Sequence, residues 1–235
     1  LLNFCPTESM SLPSTPGELA RCIDHTLLRA DATGGEIERL CAEALQHRFH
    51  SVCVNGSRVE LAYHRLEGSG IRVAAVVGFP LGAAESDVKT HETEAAIDAG
   101  ATEIDVVLNL GRLKDGDDRF VLRELRDVVE AAQGQVVKVI LETCCLDEAE
   151  KVRACRLVVE SGAHCVKTST GFGRSGATIE DVRLMRREVG PGFGVKAAGG
   201  IRDLSAALAM IEAGADRLGT SAGVAIVQAL HPPVL

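Results

Sequence analysis

The 235-residue chain contains no tryptophan and one tyrosine, and aromatic residues make up only 3% of it. An interior without large rings must be filled by Val, Ile, Leu and Ala, which suits buried parallel strands covered by helices. Basic charge is also scarce: 25 Lys and Arg stand against 33 Asp and Glu, a net charge of −8. That balance excludes nucleic acid and anionic membranes as partners, because both need a basic footprint. No run approaches the roughly 18 apolar residues of a membrane span. Neither Cys-x-x-Cys nor His-Glu-x-x-His occurs, so no metal site is expected, and no cofactor either.

Segment 1–19 carries Pro6, Pro13 and Pro16 and several Ser and Thr, without an apolar stretch. It reads as a disordered tail rather than a signal peptide, with Met10 a candidate natural start. Residues 20–235 read as one catalytic domain. The eight cysteines fall largely within apolar runs, as reduced core cysteines do, which points to a reducing, cytoplasmic setting.

What the chain does contain is a repeated unit of apolar strand, polar loop, amphipathic helix and glycine. The junction is clearest at Asp98-Ala99-Gly100-Ala101, Glu160-Ser161-Gly162-Ala163 and Glu212-Ala213-Gly214-Ala215. Glycine just past a helix end can take the left-handed conformation that closes the last carbonyls. Strands are placed at Cys22–Thr26, Ser51–Val54, Arg72–Val77, Glu103–Leu108, Val136–Leu141, Ala163–Thr168, Gly194–Ala197 and Asp216–Gly219. Ile37, Leu40, Cys41, Ala44 and Leu45 form one helical stripe, with Thr33 and Glu36 as a capping box; Thr178 and Asp181 start another helix. Eight strands, each followed by a helix, predict an α/β fold consisting of a single (β/α)₈ TIM barrel.

Within the strands, alternation separates two faces. Ile104, Val106 and Leu108 face the helices, leaving Glu103, Asp105, Val107 and Asn109 for the interior; likewise Lys138, Ile140 and Glu142 face inward on the fifth strand. Lys167 and Lys196 lie near the carboxyl ends of the sixth and seventh strands, where barrel active sites form. Burying an unpaired charge costs several kcal/mol, so these residues need either partners or a function. Lys138 fits a structural pair with Glu142 or Asp105. Lys167 and Lys196 come from adjacent strands, and their mutual repulsion in a poorly solvating interior is expected to strip a proton from one of them. A neutral lysine amine attacks carbonyl carbon, so imine formation is the expected chemistry, with Asp105 moving protons. Which lysine is the nucleophile stays open on these grounds.

Gly199-Gly200-Ile201-Arg202 follows the seventh strand, and Gly219-Thr220-Ser221-Ala222-Gly223 follows the eighth. These loops form the usual phosphate site of the fold, with Thr220 and Ser221 as hydroxyl donors. Gly171-Phe172-Gly173-Arg174-Ser175-Gly176 matches the dinucleotide pattern in spacing, but lies in the sixth unit and lacks the acidic residue on the next strand, so it reads as a substrate loop.

The chain resembles the deoxyribose-phosphate aldolase family in Ile23-Asp24-His25-Thr26-Leu27-Leu28, Ser51-Val52-Cys53-Val54, Val77-Gly78-Phe79-Pro80, Glu103-Ile104-Asp105-Val106-Val107-Leu108-Asn109, Val166-Lys167-Thr168-Ser169-Thr170-Gly171 and Val195-Lys196-Ala197-Ala198-Gly199-Gly200-Ile201-Arg202. The resemblance implies a metal-free class I aldolase that cleaves 2-deoxy-D-ribose 5-phosphate to acetaldehyde and D-glyceraldehyde 3-phosphate, in deoxyribonucleoside catabolism. It implies Lys167 as the Schiff-base lysine, Lys196 as its modulator and Asp105 as the proton relay. It further implies substrate contacts at Asp24, Thr26, Lys138, Thr170, Gly171, Gly199, Gly200, Arg202 and Ser221, to which the loop reading adds Gly219. Some members have lysine where Phe172 stands, a serine where Ala222 stands, and a terminal tyrosine where this chain ends in Leu235. The expected partner is a small phosphorylated sugar, and a homodimer is the expected assembly. Two rival readings remain: a Schiff-base barrel aldolase acting on a keto-acid or ketose phosphate, and a catalytically silent sugar-phosphate-binding barrel.

Overall fold

Each of the eight apolar runs sends alternate side chains in two opposite directions, and the sheet they build closes on itself. The structure, a computed structural model, describes residues 12–230. Its strands are β1 (Ile23–Leu27), β2 (Ser51–Asn55), β3 (Arg72–Val77), β4 (Glu103–Val107), β5 (Val136–Ile140), β6 (Cys165–Lys167), β7 (Gly194–Ala198) and β8 (Arg217–Thr220). All pair in parallel with their chain neighbours, and β8 returns to β1, giving a closed (β/α)₈ barrel.

The helices are α1 (Pro16–Ala20), α2 (Gly34–His47), α3 (Val59–Leu66), α4 (Ser86–Asp98), α5 (Leu110–Lys114), α6 (Asp118–Ala131), α7 (Glu148–Glu160), α8 (Ile179–Val189), α9 (Leu204–Glu212) and α10 (Gly223–Ala229). The Thr33–Glu36 capping box opens α2, and Thr178 accepts from the Asp181 N–H at the start of α8. Gly100, Gly162 and Gly214 take φ of 102°, 85° and 111°, closing the helix ends where the repeats placed them. Leu45, expected on the buried stripe of α2, is instead 43% exposed.

The tail boundary at residue 19 is corrected. Thr15 and Glu18 form a capping box on α1, whose Leu19 and Ala20 are fully buried, so the barrel's core recruits residues ahead of 20. Residues 1–11 of the expected tail, and 231–235, lie outside the described residues.

Two apolar layers result. The larger lies between strands and helices and includes Ile104, Val106 and Leu108 against Val121, Leu125 and Val128. The smaller, Leu28, Cys53, Ala74 and Val76 with Phe79 against it, forms a second cluster. Much of the barrel's centre is filled by charge: Asp24, Glu103, Asp105, Lys138 and Lys196 are all buried. β6 is shorter than expected at both ends, and just past it Thr168 clips to β7, its hydroxyl donating to Ala198 O and accepting from Ala198 N. Asn109, expected inside, instead caps α5 by accepting from the Arg112 N–H.

Candidate active site

Directly paired residues on parallel neighbours point the same way, so register decides which charges meet. Asp105 on β4 pairs with Lys138 on β5, and Lys167 on β6 pairs with Lys196 on β7. All four point into the barrel. Asp105 is the hub: its Oδ1 accepts from Lys138 at 2.6 Å, and its Oδ2 accepts from both Lys167 and Lys196 at 2.8 Å. The two amine nitrogens are therefore no farther apart than twice that length.

Below the hub the network continues. Lys196 donates to Asp24 Oδ2 at 2.5 Å, and Lys138 lies 2.6 Å from Glu103 Oε2. Glu103 Oε1 is met by His50 Nε2 and Arg72 Nη1, each at 3.1 Å, at the amino-terminal end of the barrel. Three interior lysines thus face three interior carboxylates, which is how the burial is tolerated. Asp24, His50 and Glu103 also bring ligand atoms within 4.8 Å of one another. Lys196 and Lys138 already neutralise the two carboxylates, which leaves a cation little to bind.

Burial alone would raise the Asp105 carboxyl, but Lys138, Lys167 and Lys196 outweigh it and hold the group well below the usual range. Glu103 is likewise held low, against burial, by Lys138 and then by His50. Burial pulls the Lys196 ammonium down, yet Asp105 and Asp24 together push it well above its ordinary value. Lys138 is pushed up in the same way by Asp105 and Glu103. The expectation that crowding strips a proton from one lysine therefore fails for Lys196: its two carboxylates outweigh its neighbour's repulsion.

Above the hub, at the carboxyl ends of the strands, lies a cavity of about 350 Å³. Of the expected site residues it is lined by Thr26, Lys167, Thr170, Gly171, Gly199, Gly200, Arg202, Gly219 and Ser221. Asp24 and Lys138, expected to touch substrate, do not line it; they are buried in the network beneath. Lys138 also pairs with Asp105 and Glu103 rather than with Glu142, whose carboxylate takes the Thr170 hydroxyl. Thr220 is spent on structure, donating to Ile201 O at 2.7 Å, so Ser221 is the hydroxyl left for an anion. Gly219 is required by close approach: a Cβ there would come 3.1 Å from Lys196 Cε and 3.0 Å from Ala198 Cβ.

Sequence reasoning missed several groups. Leu27, Leu28, Arg29, Phe172, Ala198 and Ile201 also line the cavity, and Phe172 stacks edge-on against Phe79 across 5.2 Å. Arg29 is held by Asp31 and Glu36 at 2.6 and 2.5 Å. Glu103 was legible as inward-facing, but its partner His50 lies in a loop and carries no pattern. His25 and His164 sit away from the cavity: His25 bonds Glu43 at 2.7 Å, and His164 accepts from the Val137 N–H.

The chain is similar to known proteins over almost its whole length. The model of the family described as DeoC/LacD family aldolase matches residues 19–229. A deoxyribose-phosphate aldolase of Alkaliphilus oremlandii is 55% identical over 210 residues, covering 89% of this chain and 95% of that protein. One from a Geobacillus species is 56% identical over 211 residues, with coverage of 89% and 95%. Among solved structures, the tetrameric deoxyribose phosphate aldolase of Aeropyrum pernix superimposes with a TM-score of 0.87 at 35% identity, covering 92% of each chain.

Proposed function

The chain belongs to the DeoC/LacD family of aldolases and is an aldehyde-lyase, and we propose that it works through a Schiff base on Lys167. It reversibly cleaves 2-deoxy-D-ribose 5-phosphate to acetaldehyde and D-glyceraldehyde 3-phosphate. The observation that carries the mechanism is that Lys167, alone among the three interior lysines, lines the cavity, with Asp105 2.8 Å behind its amine.

Lys196 is fixed as an ammonium by two carboxylates, whereas Lys167 has only a shared oxygen of Asp105. Lys167, which alone of the three opens to the cavity, is accordingly the amine that attacks C1 of the open-chain sugar. Loss of water from the carbinolamine leaves a protonated imine, the electron sink of the reaction. Asp105, kept ionised, takes the C3 hydroxyl proton directly or through a water. The C2–C3 bond breaks, its electron pair flows into the imine to give an enamine, and D-glyceraldehyde 3-phosphate departs. A proton returned to C2, followed by hydrolysis, frees acetaldehyde and the lysine. Gly171, Gly199, Gly200, Arg202 and Ser221 hold the phosphate through backbone N–H groups, a guanidinium and a hydroxyl. Thr170 contributes chiefly by fixing the loop, since its hydroxyl is engaged by Glu142.

The same proposal places the enzyme in the cytoplasm, in deoxyribonucleoside catabolism, which the seven unbridged described cysteines support. Self-association, as a homodimer or like the tetrameric Aeropyrum relative, belongs to it too and is read by sedimentation.

The test is borohydride trapping with acetaldehyde followed by peptide mass spectrometry. A reduced two-carbon adduct on Lys167, lost in Lys167→Ala, is the expected result. An adduct on Lys196 or Lys138 would overturn the assignment of roles. No adduct on folded protein would favour a silent sugar-phosphate binder. Pyruvate outperforming acetaldehyde as donor would move the activity to keto-acids.

A further inference from the structure

Two thiols that the reaction does not use lie side by side beside the substrate loop. Cys144 and Cys145 follow β5 in the short turn Thr143–Cys145, both partly exposed, with their Sγ atoms 3.9 Å apart. Two contacts tie this turn to the loop 171–176 at the cavity mouth, and Glu142 beside the turn adds a third link to Thr170 just ahead of the loop. Arg174 donates from Nε to the carbonyl of Cys144 at 2.7 Å. A Cβ on Gly173 would come 3.1 Å from Cys144 Sγ, so the loop backbone packs closely against that thiol. Glu142, in a left-handed conformation at φ 50°, lies 3.8 Å from Cys144 Sγ while its carboxylate takes the Thr170 hydroxyl.

We propose that Cys144 and Cys145 form a redox modification site, which a peroxide closes into a vicinal disulfide that releases the Arg174 anchor of the substrate loop. The first thiolate attacks a peroxide oxygen, giving a sulfenic acid and one water. The second thiol displaces the remaining oxygen as a second water and forms the S–S bond. Two thiols thus lose two electrons and two protons, and one peroxide becomes two waters. Burial, followed by the hydrogen bond to Cys144, pushes the Cys145 thiol up, which makes Cys144 the first to react and Cys145 the resolving thiol.

The coupling to the loop follows from which atoms the new ring contains. A bridge between adjacent residues closes eight atoms that include the peptide bond joining them. Neighbouring Cα atoms are about 3.8 Å apart, shorter than the usual disulfide span. Bringing the sulfurs to about 2.05 Å therefore has to turn that peptide out of its present conformation. Its carbonyl is the one Arg174 holds, and its N–H is the one bonded to Glu142 O at 2.9 Å. Bridges that are strained or exposed are readily reduced again, so the modification is reversible.

The experiment treats reduced protein with a small excess of hydrogen peroxide, alkylates it, and digests it without reductant. Tryptic peptide 139–151 carries both thiols and no other cysteine. The expected result is that this peptide escapes alkylation and is lighter by two hydrogens. Brief trypsin treatment of the folded, oxidised protein should also cut faster after Arg174. The KM for D-glyceraldehyde 3-phosphate should rise roughly tenfold, the worth of about one charge-assisted hydrogen bond, and dithiothreitol should restore it. Cys145→Ser should show none of these responses. Peptide 139–151 emerging with two alkyl groups, a sulfinic acid, or bridged to a second chain would overturn the proposal. So would a bridge that leaves cleavage after Arg174 unchanged. The mass and cleavage readouts do not depend on the aldolase reading; only the KM readout rests on it.

Discussion

Lys167 and Lys196 are register partners on β6 and β7, and both donate to a single oxygen, Oδ2 of Asp105, across 2.8 Å. What makes them unequal is the second carboxylate, Asp24, which only Lys196 reaches closely, at 2.5 Å. A fixed ammonium beside a reactive amine follows from that asymmetry.

Replacing the fixed charge should expose its role. Lys196→Met is expected to lower kcat by on the order of 10²–10³, the usual effect of removing one preorganised electrostatic contact. An unchanged kcat in folded protein would remove Lys196 from the proposed mechanism.

Asp105→Asn keeps the shape of the hub but leaves Lys138, Lys167 and Lys196 around a neutral amide. Stability should fall by about 3–5 kcal/mol, as when one partner of a buried pair is deleted. Turnover should fall by on the order of 10²–10⁴, as for a lost proton carrier. Urea denaturation and steady-state assays on the same preparation separate the two effects.

Glu103 predicts an acid limit. Its folded carboxyl is held well below the ordinary value, so the unfolded chain binds its proton first as pH falls. Its stabilisation is therefore complete above about pH 4.3 and is lost as pH drops through the folded value. Glu103→Gln should be less stable at neutral pH, and the gap from the parent chain should close in acid. A gap independent of pH in urea midpoints would contradict this.

The pair Lys89 and Glu124 lies outside the barrel, between α4 and α6, fully buried at 2.7 Å, and Lys89 also donates to Val107 O at 2.9 Å. Burial is the largest influence on both, lowering the lysine and raising the carboxyl. Lys89→Met alone should cost about 3–5 kcal/mol, whereas Lys89→Met with Glu124→Leu should lie near the parent. Thermal unfolding of the four proteins in the cycle is the measurement.

Arg202 is an exposed guanidinium at the cavity, where the other, Arg29, is held by Asp31 and Glu36. Arg202→Gln should raise the KM for D-glyceraldehyde 3-phosphate by roughly 10–100-fold, the range of a hydrogen bond to a charged group. The KM for unphosphorylated D-glyceraldehyde should barely change. Equal losses with both acceptors would place Arg202 outside the phosphate site.

The sequence made legible what alternation and punctuation encode. Asp105, Lys138, Lys167 and Lys196 stand out because charge interrupts apolar strands, and Gly100, Gly162 and Gly214 because each ends a helix. What stayed hidden depended on which partner each group finds. Lys138 could have met Glu142 or Asp105, and only register with β4 brings it to Asp105 and Glu103. Thr220 looked like an anion donor, but its hydroxyl is taken by Ile201 O, a contact between the end of β8 and the loop after β7. His50 carries no periodic signal, since it sits in the loop ahead of β2, and Arg72 meets Glu103 only through the register of β3 with β4. Leu19 was assigned to the tail because a five-residue helix, Pro16–Ala20, is too short to show a stripe.

The pairing of Lys167 with Lys196 also works as a proofreading mark during assembly. Side chains alternate along a strand, so a slip of β7 by one residue would swing Lys196 out among the helices and leave Asp24 and Asp105 without it. A misaligned barrel is thus penalised by stranded charge and loses the fixed ammonium of the site as well. Specific activity after refolding should therefore track the fraction of correctly closed barrels.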